Sequence, residues 1–369
     1  MRAALAVLGA LGCAIGLCTS GARAHVVYDR ESLRQYLQYS AASALVELES
    51  GPLVWEAADG SDRQEYFRAR LVTPLSGDPH GPVIEFFAHA EGLPRFTAGD
   101  RALLFLERTS DRLEFLRLAA RFPFYSVQGA GSEWRVAKGE EGAVLALARG
   151  YRELAGLPEP SAVPRLRQLL LSGLRSPVPA LRDDAVVELT RAANAPGFLA
   201  APEDVRPFGA LVDGKKLPFG TRLALAVLLD GKPGFDTDRA LLAMTREPLA
   251  WGDRRNLVRV AAKRPAPPLG RWIGSLLAAA EPELRAEAAS ALRESWHAGE
   301  VPALARAADE PEPRVSRAAL QSLGAIASPE ARAALRRVAG GADAARARLA
   351  KAELRRLGEP PVSGAPFPP

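Results

Sequence analysis

Cysteine occurs at only two positions, Cys13 and Cys18, both within an apolar N-terminal run. Beyond them the chain has no thiol, so disulfides and thiolate metal sites are excluded there and stability must come from packing. Histidine is almost as scarce: there are 4, at positions 25, 80, 89 and 297, and none forms the HExxH spacing of a zinc hydrolase. The sequence also lacks a GxSxG elbow, a phosphate-binding P-loop and a dinucleotide fingerprint. After residue 18 no apolar run approaches the roughly 20 residues of a membrane-spanning helix. With 32 Gly and 30 Pro in 369 residues, wholesale disorder and a collagen-like chain are excluded. A net charge of +5 is too weak to imply a nucleic-acid partner. The expectation is a chain with no catalytic residue, no cofactor and no metal.

What the N-terminus does contain is an export pattern. Arg2 precedes an apolar run from Ala3 to Cys18, and Ala22-Arg23-Ala24 places small residues where a signal peptidase reads them. Residues 1–24 are expected to be a Sec-type signal peptide cleaved after Ala24. Leu17 before Cys18 disfavours lipidation. The mature product is expected in the periplasm or outside the cell, not spanning the membrane.

The remainder divides by composition. Residues 25–160 hold 16 of the 24 aromatic Phe, Trp and Tyr residues and are net −5, whereas residues 161–369 are rich in Ala, Leu and Arg and are net +8. The two prolines of Gly156-Leu157-Pro158-Glu159-Pro160-Ser161 mark the junction. The first part (25–157) is expected to open with a helix over 31–42, where Leu33, Tyr36 and Leu37 share a face. Strands are then predicted over 44–49, 65–73, 82–88, 102–107, 112–118, 122–127 and 133–136, forming a small barrel or sandwich. Within it, Glu140-Glu141 after Gly139 reads as a helix start favoured by the dipole.

In the second part (161–358) three segments, 180–189, 283–292 and 314–323, each place Leu or Val, then Ala, then Leu at four-residue intervals. Such residues stack on one helix face, and the central Ala admits a neighbouring helix. The last two segments lie 31 residues apart, and another step of 31 reaches Ala350 and Leu354. The period predicts a helical solenoid of five or six pairs, with second helices near 180–192, 218–229, 252–263, 282–296, 313–326 and 343–357. Residues 359–369, rich in proline, are expected to be a disordered tail.

Pro179-Ala180-Leu181-Arg182 and Pro282-Glu283-Leu284-Arg285 resemble the opening of the second helix in HEAT repeats, with Ser316 replacing the arginine in the third copy. Armadillo-like or PBS-lyase-type repeats are similar as well. The stretch Leu93-Pro94-Arg95-Phe96-Thr97-Ala98-Gly99-Asp100-Arg101-Ala102-Leu103-Leu104-Phe105-Leu106 is similar to a segment of a small OB-like β-domain of secreted bacterial proteins. Together the resemblances imply an N-terminal small β-barrel, OB-like, followed by an all-α HEAT-like (armadillo-type) solenoid.

HEAT-like stacking implies second helices on the concave side. Arg182, Arg222, Arg255, Arg285 and Arg317 would then form a basic row for an acidic protein, glycan or lipid headgroup. Solvated or internally paired arginines are the alternative. Phe122, Phe124 and Tyr125 beside Arg121 could stack single-stranded bases, but core packing is preferred in a net-acidic domain. Trp251, Trp272 and Trp296 are likewise expected in the core or at helix ends. A His25 copper brace completed by His89 is a minor alternative. The leading expectation is an exported, non-catalytic scaffold that binds a protein of the envelope or the exterior. The alternatives are a polyanion- or glycan-binding module and an envelope hydrolase with carboxylates at the domain junction.

Overall fold

The computed structural model describes residues 31–60, 63–79, 81–88, 96–127, 134–195 and 197–358. The expected signal peptide, the proline-rich tail, His25, His80, His89 and the Leu93-Pro94-Arg95 part of the OB-like motif lie outside the described residues. The chain forms two compact units that divide between Phe208 and Gly209.

The first unit begins with α1 (Leu33–Tyr39), where the sequence sets a capping box. The Ser32 hydroxyl accepts from the Gln35 amide, and the Gln35 carboxamide accepts from the Ser32 amide. Strands β1 (Ala42–Glu56), β2 (Arg63–Ser76), β3 (Val83–Ala88), β4 (Arg101–Arg108) and β5 (Phe124–Ser126) follow in the order β1-β2-β3-β5-β4, and β4 pairs back onto β1 from Ala42↔Leu106 to Glu47↔Arg101. This is a closed five-stranded OB-like barrel, with β3 and β5 parallel. Register shifts along β1 let that strand bend between two partners. A short β6 (Trp134–Arg135) pairs with β4.

Alternation in β4 serves two cores. Ala102, Leu104 and Leu106 point into the barrel with Phe67, Ile84, Phe86 and Phe96. On the outer face Phe105 stacks on Tyr36 of α1, ring centroids 4.9 Å apart, so this strand is buried on both sides. Gly77 turns the end of β2 at φ +62°, and a Cβ there would overlap the Ala41 carbonyl oxygen.

The strand expected over 112–118 is a correction: a 3-10 segment, Leu113–Leu118, occupies it, just after a 3-10 turn at Thr109–Asp111. The segment reads with period three, because Phe115 and Leu118 join Phe87, Phe122 and Tyr125 while Leu113 and Leu116 face solvent.

Helix α2 (Glu141–Leu154) starts where the paired glutamates predict. The repeats follow as a run of helices, α3 (Glu159–Arg175), α4 (Pro179–Ala192), α5 (Pro202–Asp213), α6 (Phe219–Leu228), α7 (Thr237–Met244), α8 (Trp251–Ala261), α9 (Pro267–Ser275), α10 (Pro282–Ala291), α11 (Val301–Ala307), α12 (Pro313–Ile326), α13 (Pro329–Ala339) and α14 (Ala344–Arg356), in which α3 packs on α4, α7 on α8, α9 on α10, α11 on α12 and α13 on α14. Proline stands at the first or second helical position of most of them, where no amide donor is lost from the helix ladder.

The predicted Leu-Ala-Leu stripe is the core. Leu181, Ala185 and Leu189, then Leu284, Ala288 and Leu292, then Val315, Ala319 and Leu323 are all buried. In α14 the stripe continues with Ala350 and Leu354. In the first unit Gly173 lets α3 approach α4, since a Cβ there would lie 2.9 Å from the Ala185 methyl. In the second unit α8, α10, α12 and α14 pack side by side as one layer.

Candidate functional site

The arginine of the Pro-aliphatic-Arg opening first does a structural job. Three residues into α4, Arg182 turns back and donates to the carbonyls of Ser176 and Pro177 at 2.9 and 2.8 Å. Arg285 in α10 repeats this geometry on Ala279 and Ala280, at 2.8 and 2.9 Å, and adds a 2.9 Å bond to Glu310. Loop carbonyls that end the preceding helix are thereby satisfied.

Arg222 is 4% exposed, forms a two-armed ion pair with Glu247 at 2.9 and 2.5 Å, and lies over the Phe219 ring. That pairing holds the Glu247 carboxyl below its ordinary value. Arg255 lies over Trp251 and shares Glu287 with Arg259. Arg317 is exposed and makes no ion pair among the described residues. Of the five expected arginines, then, four are engaged inside the protein and Arg317 faces solvent.

Sequence reasoning missed a buried polar clamp in the first unit. Asp184 and Glu188, one turn apart on α4, are 1% and 4% exposed. Asp184 accepts from the Leu33 amide at 2.6 Å and from the Tyr151 hydroxyl at 3.3 Å. Glu188 accepts from the Ser32 hydroxyl at 2.7 Å and pairs with Arg34 at 2.8 Å. Two carboxylates thus face the N-terminus of α1, where unpaired amides and the helix dipole favour negative charge. Burial, then the two carboxylates, push the Tyr151 phenol well above its ordinary pKa. The available signal was two acids on the same helix side as Leu181 and Ala185.

The barrel's aromatic group is core, as preferred: Phe122, Phe124 and Tyr125 are buried. Arg121 packs over the Tyr66 and Phe122 rings and pairs with Glu85. Tyr125 donates to Glu107 and receives a 3.0 Å bond from Arg112; burial, ahead of the Glu107 bond, pushes its phenol up to about 12. In the repeats Trp251 and Trp296 are 43% and 45% exposed at helix ends, and the Trp296 indole donates to the Ala262 carbonyl at 3.4 Å.

Among the described residues no group of three or more His, Cys, Asp or Glu side chains is arranged to hold a metal ion. His297 is buried with Nε2 3.1 Å from the same Ala262 carbonyl. An open cavity of about 730 Å³ lies between α2, α3 and α4, lined by residues that include Ala143, Leu147, Gln168, Ser172 and Arg175.

Residues 271–355 match the HEAT repeat family model. The matched span runs from α9 through nearly all of α14, where the 31-residue step is regular. No curated protein matches the chain. HEAT repeats are protein-interaction modules and typically non-catalytic, so the match makes the repeat layer, rather than an enclosed pocket, the candidate site.

Proposed function

We propose that the protein is a non-catalytic scaffold whose helical repeats bind a protein partner. The observation that carries this reading is the agreement of the HEAT match at 271–355 with the helix pairs observed there. In the matched span α12 and α14 bury their stripes against neighbours and keep exposed residues on the other side, free to bind. The export pattern at residues 1–24 supports a partner in the cell envelope or outside the cell.

The test is cross-linking of the tagged full-length chain in its native cells, followed by reconstitution with each captured protein. Saturable one-to-one binding of a purified protein supports the scaffold. Its absence for every captured protein, together with turnover on peptide, ester or glycan substrates, overturns it. N-terminal sequencing of the mature chain should begin at His25 if export proceeds as proposed.

A further inference from the structure

We propose that the exposed faces of α12 and α14 form a docking surface for an acidic polypeptide segment, with Arg317 and Arg348 as its fixed points. This rests on the scaffold reading and gives it a partner class.

Charge concentrates at the end of the repeats: residues 313–358 carry ten basic against three acidic residues. Half of these cations are engaged. Arg332 donates to the Ala327 carbonyl, Arg337 pairs with Asp309, Arg346 with Asp343 and Arg356 with Glu353, and Arg336 also has a partner. The other five, Arg314, Arg317, Arg348, Lys351 and Arg355, form no ion pair among the described residues, and the four arginines are exposed.

Their placement follows the repeat. Steps of 31 residues lead from Arg255 in α8 to Ala286 in α10, Arg317 in α12 and Arg348 in α14. In the earlier repeats Glu287 neutralises Arg255 at 3.3 Å. Glu287 lies 32 residues after Arg255, and the same offset from Arg317 reaches Leu349, so Arg317 lacks that acid, while Arg348 has no ion-pair partner among the described residues. On α12 the exposed residues after Pro313 form a narrow stripe of Arg314, Arg317 and Gln321 over an otherwise largely buried helix. An uncompensated row of guanidinium groups on packed helices has its complement in carboxylates, which they bind through two parallel bonds.

The partner class follows from spacing and from what surrounds the row. Packed helices lie about 8–10 Å apart, close to the ~10 Å that three residues span in an extended chain. An extended segment crossing α12 and α14 with an acid at every third position would therefore meet both arginines. Residues 297–358 contain no Phe, Trp or Tyr on which bases could stack, and no large apolar side chain is exposed among them to enter a lipid layer. Polypeptide carboxylates are thus the better complement than nucleic acid or membrane.

The test is fluorescence anisotropy of the full-length chain with a labelled Gly/Ser peptide carrying Glu at every third position, at 0.05 and 0.3 M salt. Arg317→Glu with Arg348→Glu should weaken binding by at least about tenfold, while Arg175→Glu, an exposed charge in the other unit, should change it less than about twofold. Higher salt should also weaken it. The proposal is overturned if no saturable binding occurs at 0.05 M salt, if the double variant binds as the parent does, or if heparin or anionic vesicles bind tighter through the same two residues. A partner isolated by cross-linking that still binds the double variant overturns this surface and leaves the scaffold reading standing. Unchanged melting of both variants excludes misfolding as the cause of any loss.

Discussion

At the residue scale, the side chains that matter most for the first unit are two buried acids. Replacing Asp184 with Ala leaves the Leu33 amide and the Tyr151 hydroxyl without their acceptor, and should cost about 2–3 kcal/mol in urea unfolding. Ala327 presents the opposite case. It ends α12 in the left-handed region at φ 57°, where a Cβ is unfavourable, so Ala327→Gly should raise stability by about 0.5–1 kcal/mol in the same measurement. Neither residue stands out in the sequence. Asp184 looks like one more charge on a helix rich in them, because its partners lie far away along the chain. Ala327 sits where glycine or asparagine would have announced a helix end.

At the element scale, the helix pairs were legible because one local pattern governs most of them: proline at the start, then an apolar stripe with Ala at its centre. Even α6 and α8, which are not among the three aligned segments, fall within two residues of expectation. The segment at 112–118 misled because Leu113 and Phe115 imitate strand alternation, while the packing of Phe115 and Leu118 on the aromatic group selects a 3-10 period. The arginines misled for a related reason, since sequence shows that Arg285 is charged but not that two loop carbonyls and Glu310 already occupy it. Arg285→Met should therefore cost about 1–2 kcal/mol, whereas exposed Arg317→Met should stay within about 0.5 kcal/mol of the parent.

Acid should loosen the junction of β4 with α2. Arg101 reaches Glu47 at 3.2 Å and Glu141 at 2.5 Å. Glu47 is held below the ordinary 4.5 first by its bond to Arg70 and also by Arg101. Glu141 is held down first by its own backbone amide and then by Arg101. Carboxyls lowered in the folded state stabilise it above pH 4.5 and lose that contribution as pH falls through their folded values. Melting temperature followed from pH 7 to 3 should begin to drop near pH 4.5, and Arg101→Met should make the drop shallower.

At the scale of the whole molecule, composition changes near residue 160, but the compact units divide later, between Phe208 and Gly209. Composition records what each segment is made of, and it cannot register that α4 supplies the carboxylates on which α1 rests. A chain of residues 25–157 should accordingly unfold at lower urea concentration than one of residues 25–208, because the shorter chain leaves the start of α1 without Asp184 and Glu188. Equal midpoints for the two would remove the clamp from any account of the barrel's stability.

The clamp also bears on time. Ser32 and Glu188 are 156 residues apart, so α1 waits for an acceptor made long afterwards. At roughly 5–20 residues per second the delay is roughly 8–30 s, far longer than a helix needs to form and melt. Throughout that interval the segment that becomes α1 lacks these acceptors and can stay extended. It acquires its final hydrogen bonds only when the first helix pair of the repeats has emerged behind it.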